Sequence, residues 1–509
     1  MNGSKPSHAV VIGAGIGGLT TAALLLQAGF RVTVLEAHVY PGGSAGTFYH
    51  KGYRFDAGAT LAGGFNPGGP HARLAEILNL EWPVAPVDPA WVVHMPGRAP
   101  ITQWASPEAW AAERQEAFPG SEAFWQQQEM LATIAWDISS RPFPWPPSSL
   151  NDWLALARAM RPRTLRALPY LTRTIGDLIP PDRPALKTFL DAQLLIAAQT
   201  TAGQTNALYG SAALDLPRRG VNHVRGGIGA IAQTLVSWIR QHGGEVHFRQ
   251  QVEEIEIRNG RAVAVHTNKG HIFDGDWFVA NVTPWALNNL LGPAAPSSLR
   301  REVQERTATW GAFTLYLGVE AGELPAGPSG HHQVIQDPSR PLGEGNSVFI
   351  SLSGGDDARR APAGQRAATL STHTAIAPWW QLQQGSDESA YQARREAYTE
   401  RLLAAAEVAL PGIRVAARLI LPGTPVTFQY YTRRPQGMVG GFAQRSLFDV
   451  RGPHTGIANL RLVGDSIFPG QSTAGVTLGG MRVAGEIMHA ARPPLFALPS
   501  PQPLTRPVP

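Results

Sequence analysis

Three glycines near the start of the chain have the type and spacing of a dinucleotide-binding site. Gly13, Gly15 and Gly18 follow the apolar run 9–12 in G-x-G-x-x-G spacing. In such a motif the first glycine permits a tight turn, the second lets the backbone approach a diphosphate, and the third lets helix and strand pack closely. We expect the diphosphate at the helix N-terminus, where free N–H groups and the helix dipole favour an anion.

The acid that completes the motif is Glu36, at the end of a second apolar run over 31–35. A carboxylate there accepts hydrogen bonds from the adenosine ribose hydroxyls and repels a 2′-phosphate, which argues against NADP. The elements that must hold these residues are a strand over 9–12, a helix that runs to Gln27 with Gly29 at its C-cap, and the strand over 31–35. They predict a βαβ unit of about 30 residues.

A second glycine-rich stretch, YPGGSAGTF, follows this unit. Gly42, Gly43 and Gly46 predict a loop whose backbone passes close to a flat ligand, with an ordinary surface loop as the alternative. In the next stretch, GYRFDAGAT, we expect Asp56 and Gly58 to turn the chain. A ligand-facing loop would extend the nucleotide site beyond the first βαβ unit.

The far end of the chain carries a matching strand, loop and helix. LRLVGD is an apolar strand that ends at Gly464 and Asp465, and a helix with several glycines runs from Val476. An aspartate in this place accepts from a ribityl or ribose hydroxyl, so one fingerprint combined with a distant Gly-Asp loop favours FAD over NAD. The stretch RGGIGAI has similar glycines, but its pattern shows no preceding strand. We therefore expect no separate NAD(P)H domain.

Composition excludes several kinds of chemistry. The 509 residues include no cysteine, which excludes disulfides, thiolate metal sites and a cysteine-tethered flavin. His, Asp and Glu show no metal-ligand spacing, so we predict no metal. The net charge of +5 comes without a basic stripe, which argues against a nucleic-acid partner. No apolar run is long enough to span a bilayer, and the fingerprint starts too early for a signal peptide, so we expect a cytoplasmic protein.

The sequence predicts an α/β fold in which a Rossmann-type, amine-oxidase-like FAD-binding domain is interrupted by a mixed α+β substrate domain. The chain is too long for one simple core, and stretches rich in Trp and Pro mark the interruptions. The predicted division is FAD-binding parts at 1–68, 215–284 and 425–492, substrate-domain parts at 69–214 and 285–424, and a disordered Pro-rich tail at 493–509.

Together these motifs resemble the FAD-dependent carotenoid desaturase and carotenoid isomerase family, within the broader phytoene-desaturase and amine-oxidase group. The resemblance covers nearly the whole chain, and its most diagnostic part is LVGDSIFPGQSTAGVTLGGMRVAGEI. It implies nine FAD-binding positions, which are Gly13, Gly15, Gly18 and Glu36 at the ADP part, Gly42, Gly43 and Ser44 beside the diphosphate and flavin, Val252 with its backbone at the adenine, and Asp465 at the FAD hydroxyls. Ser44 stands where many members have arginine.

The stretches GGSAG and GDSIFPGQ look more like the isomerase and 3′,4′-desaturase branch than the phytoene-desaturase branch. The resemblance then implies a carotenoid 3′,4′-desaturase that acts on an acyclic, often 1′-hydroxylated, carotenoid end by hydride transfer to flavin N5. Quinone and oxygen are both open as electron acceptors. A cis–trans isomerase on reduced FAD, another phytoene desaturase-type enzyme and a non-catalytic carotenoid carrier stay open as alternatives. An amine oxidase is less compatible with inserted domains suited to a long apolar ligand.

The sequence identifies no catalytic acid or base. His331 and His332 are adjacent on a predicted strand and so point to opposite faces, which lets at most one approach the flavin or a substrate hydroxyl. A structural role for both is the alternative. Tyr430 or Tyr431 could face the flavin ring, with core packing as the alternative.

One amphipathic segment predicts a membrane contact. Trp153, Leu156, Ala157 and Met160 recur at helical spacing, Pro162 interrupts the pattern, and Leu165, Leu168 and Leu171 resume an apolar side among the arginines at 158, 161, 163, 166 and 173. The pattern fits an interfacial anchor on anionic lipid, with the protein held peripherally at the inner face of the membrane. A surface helix packed on its own domain is the alternative.

Overall fold

The computed structural model describes residues 6–141, 143, 145–147, 149–306, 310–325, 327 and 329–491, so the predicted tail at 493–509 lies outside it. The strands in the described ranges are β1 (His8–Ile12), β2 (Arg31–Leu35), β3 (Thr47–His50), β4 (Tyr53–Asp56), β5 (Ala62–Gly63), β6 (Val84–Val87), β7 (Trp91–His94), β8 (Ile101–Gln103), β9 (Val221–Val224), β10 (Glu245–His247), β11 (Val252–Arg258), β12 (Arg261–Thr267), β13 (Ile272–Asp274), β14 (Trp277–Ala280), β15 (Trp310–Glu320), β16 (His331–Ile335), β17 (Ser347–Leu352), β18 (Gln365–Thr374), β19 (Ala417–Gly423), β20 (Met438–Val439) and β21 (Leu460–Leu462).

The α-helices in the same ranges are α1 (Ile16–Gln27), α2 (Pro70–Leu78), α3 (Pro107–Ala117), α4 (Glu122–Ser139), α5 (Leu150–Ala159), α6 (Pro184–Ala198), α7 (Ala207–Leu214), α8 (Ala230–Gln241), α9 (Pro284–Leu291), α10 (Ser297–Glu305), α11 (Ala377–Gln384), α12 (Glu388–Ala409), α13 (Ile413–Ala416), α14 (Pro425–Thr432) and α15 (Thr473–Ala491). A 3-10 helix over Pro162–Tyr170 follows α5.

The predicted βαβ unit forms the centre of a five-stranded parallel sheet. The strand order is β10-β2-β1-β14-β21, so strands that are distant in sequence flank the fingerprint strand β1. Helix α1 starts after Gly15, and Gly29, just past its C-cap, takes the left-handed φ of +88° that ends the helix. The carboxyl ends of β1, β2, β14 and β21 therefore meet at one edge of the sheet, where such folds bind ligands.

Three helices beyond the predicted FAD-binding parts share the core of this sheet. Leu74 of α2, Leu287 of α9 and Leu299 of α10 are buried in the same cluster as Val10 of β1. Their packing joins residues on both sides of the predicted boundaries at 68 and 284 to one apolar core. The division into domains itself stays a prediction.

A second, eight-stranded sheet takes seven strands from the two interrupting segments and one, β20, from the predicted FAD-binding part at 425–492. Its order is β19-β15-β18-β17-β16-β7-β8, with β20 paired to β15. Side chains alternate across it: Phe313 and Leu315 of β15 pack against α12, whereas Thr314 faces the opposite side. One face of this sheet is thus covered by helix, and the other forms the wall of a cavity.

The prediction that RGGIGAI lacks a preceding strand is wrong. Strand β9 comes directly before it and α8 directly after, but β9 pairs antiparallel with β5 and β6, outside the parallel sheet. The N–H groups of Gly226, Ile228 and Gly229 are already bound by Asp357 Oδ2, Asp56 Oδ1 and Thr47 Oγ1. Side chains of the protein therefore occupy the place that a phosphate would take.

The expectation that Asp56 and Gly58 turn the chain holds for Gly58, which lies in a bend, and is wrong for Asp56. Asp56 is the last residue of β4 and is buried. Its carboxylate accepts from Thr47 Oγ1 at 2.8 Å and from the Ile228 N–H at 2.8 Å, and it pairs with Arg360 Nη2 at 2.9 Å. The residue therefore links the β3–β4 hairpin, the start of α8 and the segment that carries Arg360.

The amphipathic segment folds as α5 and the following 3-10 helix, with the break at Pro162 as predicted. Asp137 of α4 holds it, because the carboxylate accepts from Arg161 Nη1 at 3.2 Å and from Arg163 Nε at 3.2 Å and also pairs with Arg141. No helix in the described ranges has the length and apolarity needed to cross a membrane.

Candidate active site

The glycine loop after β1 is packed as tightly as its spacing predicts. Gly13 has a φ of +94°, and a Cβ there would lie 2.8 Å from the carbonyl oxygen of Asn281. At Gly18 a Cβ would lie 2.7 Å from the carbonyl oxygen of Gly13. The N–H of Gly13 donates to Leu35 O at 2.7 Å, which ties the loop to β2. Any larger side chain at these two positions would push α1 away from the sheet.

Asn281 supports this loop from behind. It follows β14, and its Oδ1 accepts from the N–H of Gly18. Its amide also lies 3.0 Å from where a Cβ of Gly15 would be. The sequence reasoning assigned no role to Asn281. The available signal is a polar residue at the carboxyl end of a parallel strand, but recognising it requires knowing that β14 lies beside β1.

Glu36 lies at the adjacent carboxyl end of β2. Its Oε2 accepts from the Ala14 N–H at 2.7 Å and its Oε1 from the His38 N–H at 2.7 Å. Burial raises the pKa of Glu36, and these two N–H donors oppose that rise. Each carboxylate oxygen keeps a lone pair for a further donor, so the group can still accept from the two hydroxyls of a ribose.

The second glycine loop is held against the first. The N–H of Gly42 donates to Ala14 O at 2.9 Å, and Gly42 has a φ of +112°. Gly43 and Ser44 follow in a 3-10 turn, and Ser44 O accepts from Ala59 at 3.3 Å. Gly42, Gly43 and Ser44 all line the cavity, as a loop that passes close to a ligand would.

The Gly-Asp loop after β21 closes the opposite side of the cavity. Gly464 has a φ of +122°, and Asp465 Oδ2 accepts from Arg434 Nη1 at 2.9 Å. Helix α15 then starts at Thr473, and its first turn lines the cavity, as does the first turn of α1. Arg434 was missed by the sequence reasoning, although it stands in the TRRPQG stretch just upstream.

All of these features surround one cavity of about 1700 Å³. Eight of the nine predicted FAD-binding residues line it, and the ninth, Gly18, lies behind the loop against Asn281. Single ligands of drug size fill about 300–1,000 Å³, so this cavity has room for a dinucleotide together with a second molecule. The loops, the acids Glu36 and Asp465 and the two helix N-termini fit the FAD that the sequence predicted.

The part of the cavity beyond the nucleotide loops is apolar and aromatic. Its wall is the open face of the eight-stranded sheet, and its roof comes from α4, α6 and the amphipathic segment. Aromatic and aliphatic lining residues include Trp91, Trp110, Trp125, Trp136, Phe143, Trp145, Trp153, Leu156, Met160, Leu168, Leu171, Phe189, Leu208, Leu214 and Phe349. Such a wall suits a long hydrocarbon and excludes water.

The two histidines that the sequence singled out do not line the cavity. His331 Nδ1 lies 3.0 Å from Ser351 Oγ, and His332 Nδ1 lies 3.2 Å from His94 Nε2. Burial lowers the pKa of His331 to about 3 and that of His332 to about 4. Both are neutral core residues, in agreement with the structural alternative.

Of the two tyrosines on α14, Tyr431 lines the cavity and Tyr430 does not. The Tyr431 ring lies 5.7 Å from the His38 ring, two residues beyond Glu36, and thus on the nucleotide side. His373 of β18, which the sequence did not single out, also lines the cavity. Burial lowers the pKa of His373 to about 4, so its ring is neutral near pH 7, and its Nε2 lies 3.5 Å from Gln199 Nε2.

A family model described as flavin containing amine oxidoreductase matches residues 16–488. Prolycopene isomerase of Daucus carota is 28% identical, with 97% of this chain and 82% of the relative covered. The neurosporene-forming phytoene desaturase of Cereibacter sphaeroides is 25% identical, with 95% of each chain covered. Among solved structures, an oxidoreductase from Methanosarcina mazei gives a TM-score of 0.63 at 20% identity over 94% of this chain and all (100%) of the other, a likeness of fold.

Proposed function

The chain belongs to the flavin containing amine oxidoreductase family and is an FAD-dependent oxidoreductase, and from this premise we propose that it is a carotenoid 3′,4′-desaturase. In this proposal it introduces a C=C bond at the acyclic, 1′-hydroxylated end of a carotenoid. The observation that carries the proposal is the aromatic cavity that continues from the nucleotide loops along the second sheet.

The dimensions of that cavity favour a rod-shaped substrate. The cavity is lined by residues of β19, β15, β18, β17, β7 and β8. In the sheet order β16 lies between β17 and β7, so the distance from β19 to β8 is six strand spacings. At about 4.8 Å per spacing the wall is about 29 Å long. A polyene, which is rigid and apolar, can lie along such a wall at little cost in conformational entropy.

The charges around the cavity argue against an amine substrate. Among the described lining residues the only carboxylates are Glu36 and Asp465, and both lie on the nucleotide side. The aromatic part therefore provides no carboxylate to bind an ammonium group, and burying an unpaired charge there would be costly. This observation supports a hydrocarbon over an amine.

Desaturation removes a hydride and a proton from adjacent carbons. When bound, FAD supplies the hydride acceptor. The residues of the chain hold the polyene in place and exclude water, and we assign the proton acceptor to His373, whose neutral ring lines the cavity. A weak base suffices because positive charge that develops beside a conjugated polyene is delocalised.

The amphipathic segment supports peripheral membrane docking at the inner face. Trp153, Leu156 and Leu168 line the cavity, and Trp153 and Leu168 are also exposed, as are Leu150 and Leu165 on the same segment. A carotenoid could thus pass from the bilayer into the cavity beside this segment. Sedimentation with vesicles tests this: a Leu150→Ser/Leu165→Ser variant should bind anionic vesicles several-fold more weakly than the wild type, and equal binding would contradict docking through this face.

The substrate assignment is tested by expression in a host that accumulates hydroxylated acyclic carotenoids. We expect a pigment lighter by two hydrogens with a red-shifted absorption band. The relatives named prolycopene isomerase favour a second candidate, cis–trans isomerisation on reduced FAD. Unchanged mass with altered retention would support that candidate, and unchanged pigment would contradict both. Anaerobic reoxidation of the reduced enzyme by a quinone, compared with oxygen, then identifies the electron acceptor.

A further inference from the structure

The residues at the end of α14 connect the two sides of the predicted cofactor site. The Tyr431 ring lies 5.7 Å from the ring of His38, whose N–H donates to the ribose acceptor Glu36. A few positions later, Arg434 Nη1 donates to Asp465 Oδ2 at 2.9 Å. Consecutive Cα atoms are about 3.8 Å apart, so this short segment bridges the ribose side and the ribityl side of the site. In FAD the diphosphate connects these two parts.

Two consecutive arginines of this segment, Arg433 and Arg434, are the only Lys or Arg side chains among the described residues that line the cavity. Arg434 is fixed by bonds to the protein. Its Nε donates to Met438 O at 2.8 Å and its Nη2 to Gly440 O. Its Nη1 pairs with Asp465, so the charge of Arg434 is balanced within the protein.

The charge of Arg433 is not balanced in this way. Within the described ranges its guanidinium forms no hydrogen bond and no ion pair, and its Cζ lies 5.3 Å from the centroid of the Tyr430 ring. Burial and, after it, the positive charge of Arg433 lower the pKa of His38, so the guanidinium lies on the ribose side of the site. Arg433 also has a φ of +57°, which costs free energy in any residue except glycine. An unpaired cation held in this conformation at the wall of a cavity indicates an anionic ligand.

We infer that Arg433 supplies the counter-charge for the FAD diphosphate, which makes the segment 431–434 a further cofactor-binding element. The glycine loops offer N–H groups and helix dipoles but no cation, since the residue after the paired glycines is Ser44. Glu36 has the same sign of charge as the phosphates, so without Arg433 like charges would be enclosed together. The planar guanidinium also matches two phosphate oxygens at once. The inference depends on FAD and not on the carotenoid that we propose as substrate.

Titration of the apoprotein with FAD measures this contribution. Arg433→Gln should raise the FAD dissociation constant about 10- to 100-fold, because hydrogen bonds to a charged group are lost. Arg433→Lys keeps the charge but not the two-pronged geometry, so its dissociation constant should lie between those of the wild type and Arg433→Gln. Added salt should weaken FAD binding more steeply in the wild type than in Arg433→Gln, since salt screens the ion pair.

Arg249→Gln is the matched control. Arg249 also has a φ of +57°, and its N–H donates to His38 O at 3.0 Å. It forms no ion pair in the part of the chain that the structure describes, and it is exposed and does not line the cavity. The control variant therefore makes the same change of charge beside the same histidine and should leave the FAD dissociation constant unchanged.

Two further measurements separate phosphate binding from a structural role of Arg433. Adenosine and ADP, used as competitors of FAD, differ only in the diphosphate, so Arg433→Gln should weaken the binding of ADP and leave that of adenosine unchanged. Arg433→Gly removes the charge and relaxes the left-handed backbone, so the apoprotein should melt no lower than the wild type and still bind FAD about 10- to 100-fold more weakly. An unchanged FAD titration of Arg433→Gln would overturn the inference, and so would an equal loss of affinity for adenosine and ADP.

Discussion

Replacing Asp56 with asparagine should destabilise the protein strongly. Asp56 and Arg360 form an ion pair whose side chains are only 3% and 5% exposed. Asparagine can keep one acceptor oxygen for Thr47 and Ile228, but it leaves the Arg360 guanidinium buried without a counter-charge. Breaking a buried pair on one side costs about 3–5 kcal/mol, so we expect the free energy of unfolding to fall by that amount.

The loss should be visible at the nucleotide site as well. The residue after Asp56, Ala57, donates its N–H to Gly46 O at 2.9 Å and so links the β3–β4 hairpin to the second glycine loop. Urea unfolding, followed by tryptophan fluorescence on apoprotein and holoprotein, measures stability. Titration of the apoprotein with FAD measures affinity, which we expect to weaken in Asp56→Asn.

Two further variants test the electrostatic explanation. Asp56→Asn combined with Arg360→Met removes both charges and should recover most of the lost stability. Glu323→Gln breaks the exposed pair with Arg418, at 3.0 Å, and should cost at most about 1 kcal/mol. The reasoning is refuted if Asp56→Asn unfolds within 1 kcal/mol of the wild type, or if the double variant is no more stable than Asp56→Asn alone.

Three other predictions follow from the site and the core. Glu36→Gln should raise the FAD dissociation constant about 10- to 100-fold, because hydrogen bonds to a charged acceptor are lost. Glu245→Gln, on the exposed edge of the same sheet, should leave this constant unchanged. Equal FAD titration curves for Glu36→Gln and the wild type would contradict the ribose role of Glu36. His373→Phe should lower kcat about 100-fold at unchanged FAD content. If the rate constant of the chemical step in single-turnover kinetics is unchanged, the role of His373 is purely structural. Burial lowers the pKa of His71 from its ordinary value of 6.5 to about 3. Between these two pH values the unfolded state binds one more proton than the folded state, so stability falls on acidification by at most about 1.4 kcal/mol per pH unit. Melting midpoints of His71→Gln should depend less steeply on pH than those of the wild type, and parallel curves would contradict this.

Local patterns were sufficient where neighbours in sequence are neighbours in space. The β1–α1–β2 unit, the positive φ of Gly13 and the position of Glu36 all follow from about 30 consecutive residues. Asp465 could be placed because the Gly-Asp stretch stands between a recognisable strand and helix. Each of these predictions depends on spacing that the chain itself displays.

Other features depend on contacts that no local pattern contains. Asp56 precedes Ala-Gly and so has the composition of a turn, yet Arg360, more than 300 positions away, makes it a buried strand residue. Strand β9 has the sequence VNHV, whose mixed polarity hides a strand defined by pairing with β5 and β6. Asn281, Arg434 and His373 reach the site only because of how distant strands are ordered in the two sheets.

The order of strands also determines when the protein can fold during its synthesis. In the first sheet β1 pairs with β14, and β14 with β21, while the second sheet joins β7 and β8 to strands beyond residue 310. The second sheet cannot be completed until β20, at 438–439, has been synthesised, and the first sheet needs β21, near residue 460. These residues leave the ribosome about 20–90 s after the first glycine loop at usual elongation rates. For that time the apolar strands of the nascent chain are without their partners and expose surface that favours aggregation. The side of the cavity formed by Gly464, Asp465 and α15 is complete only when translation is nearly finished.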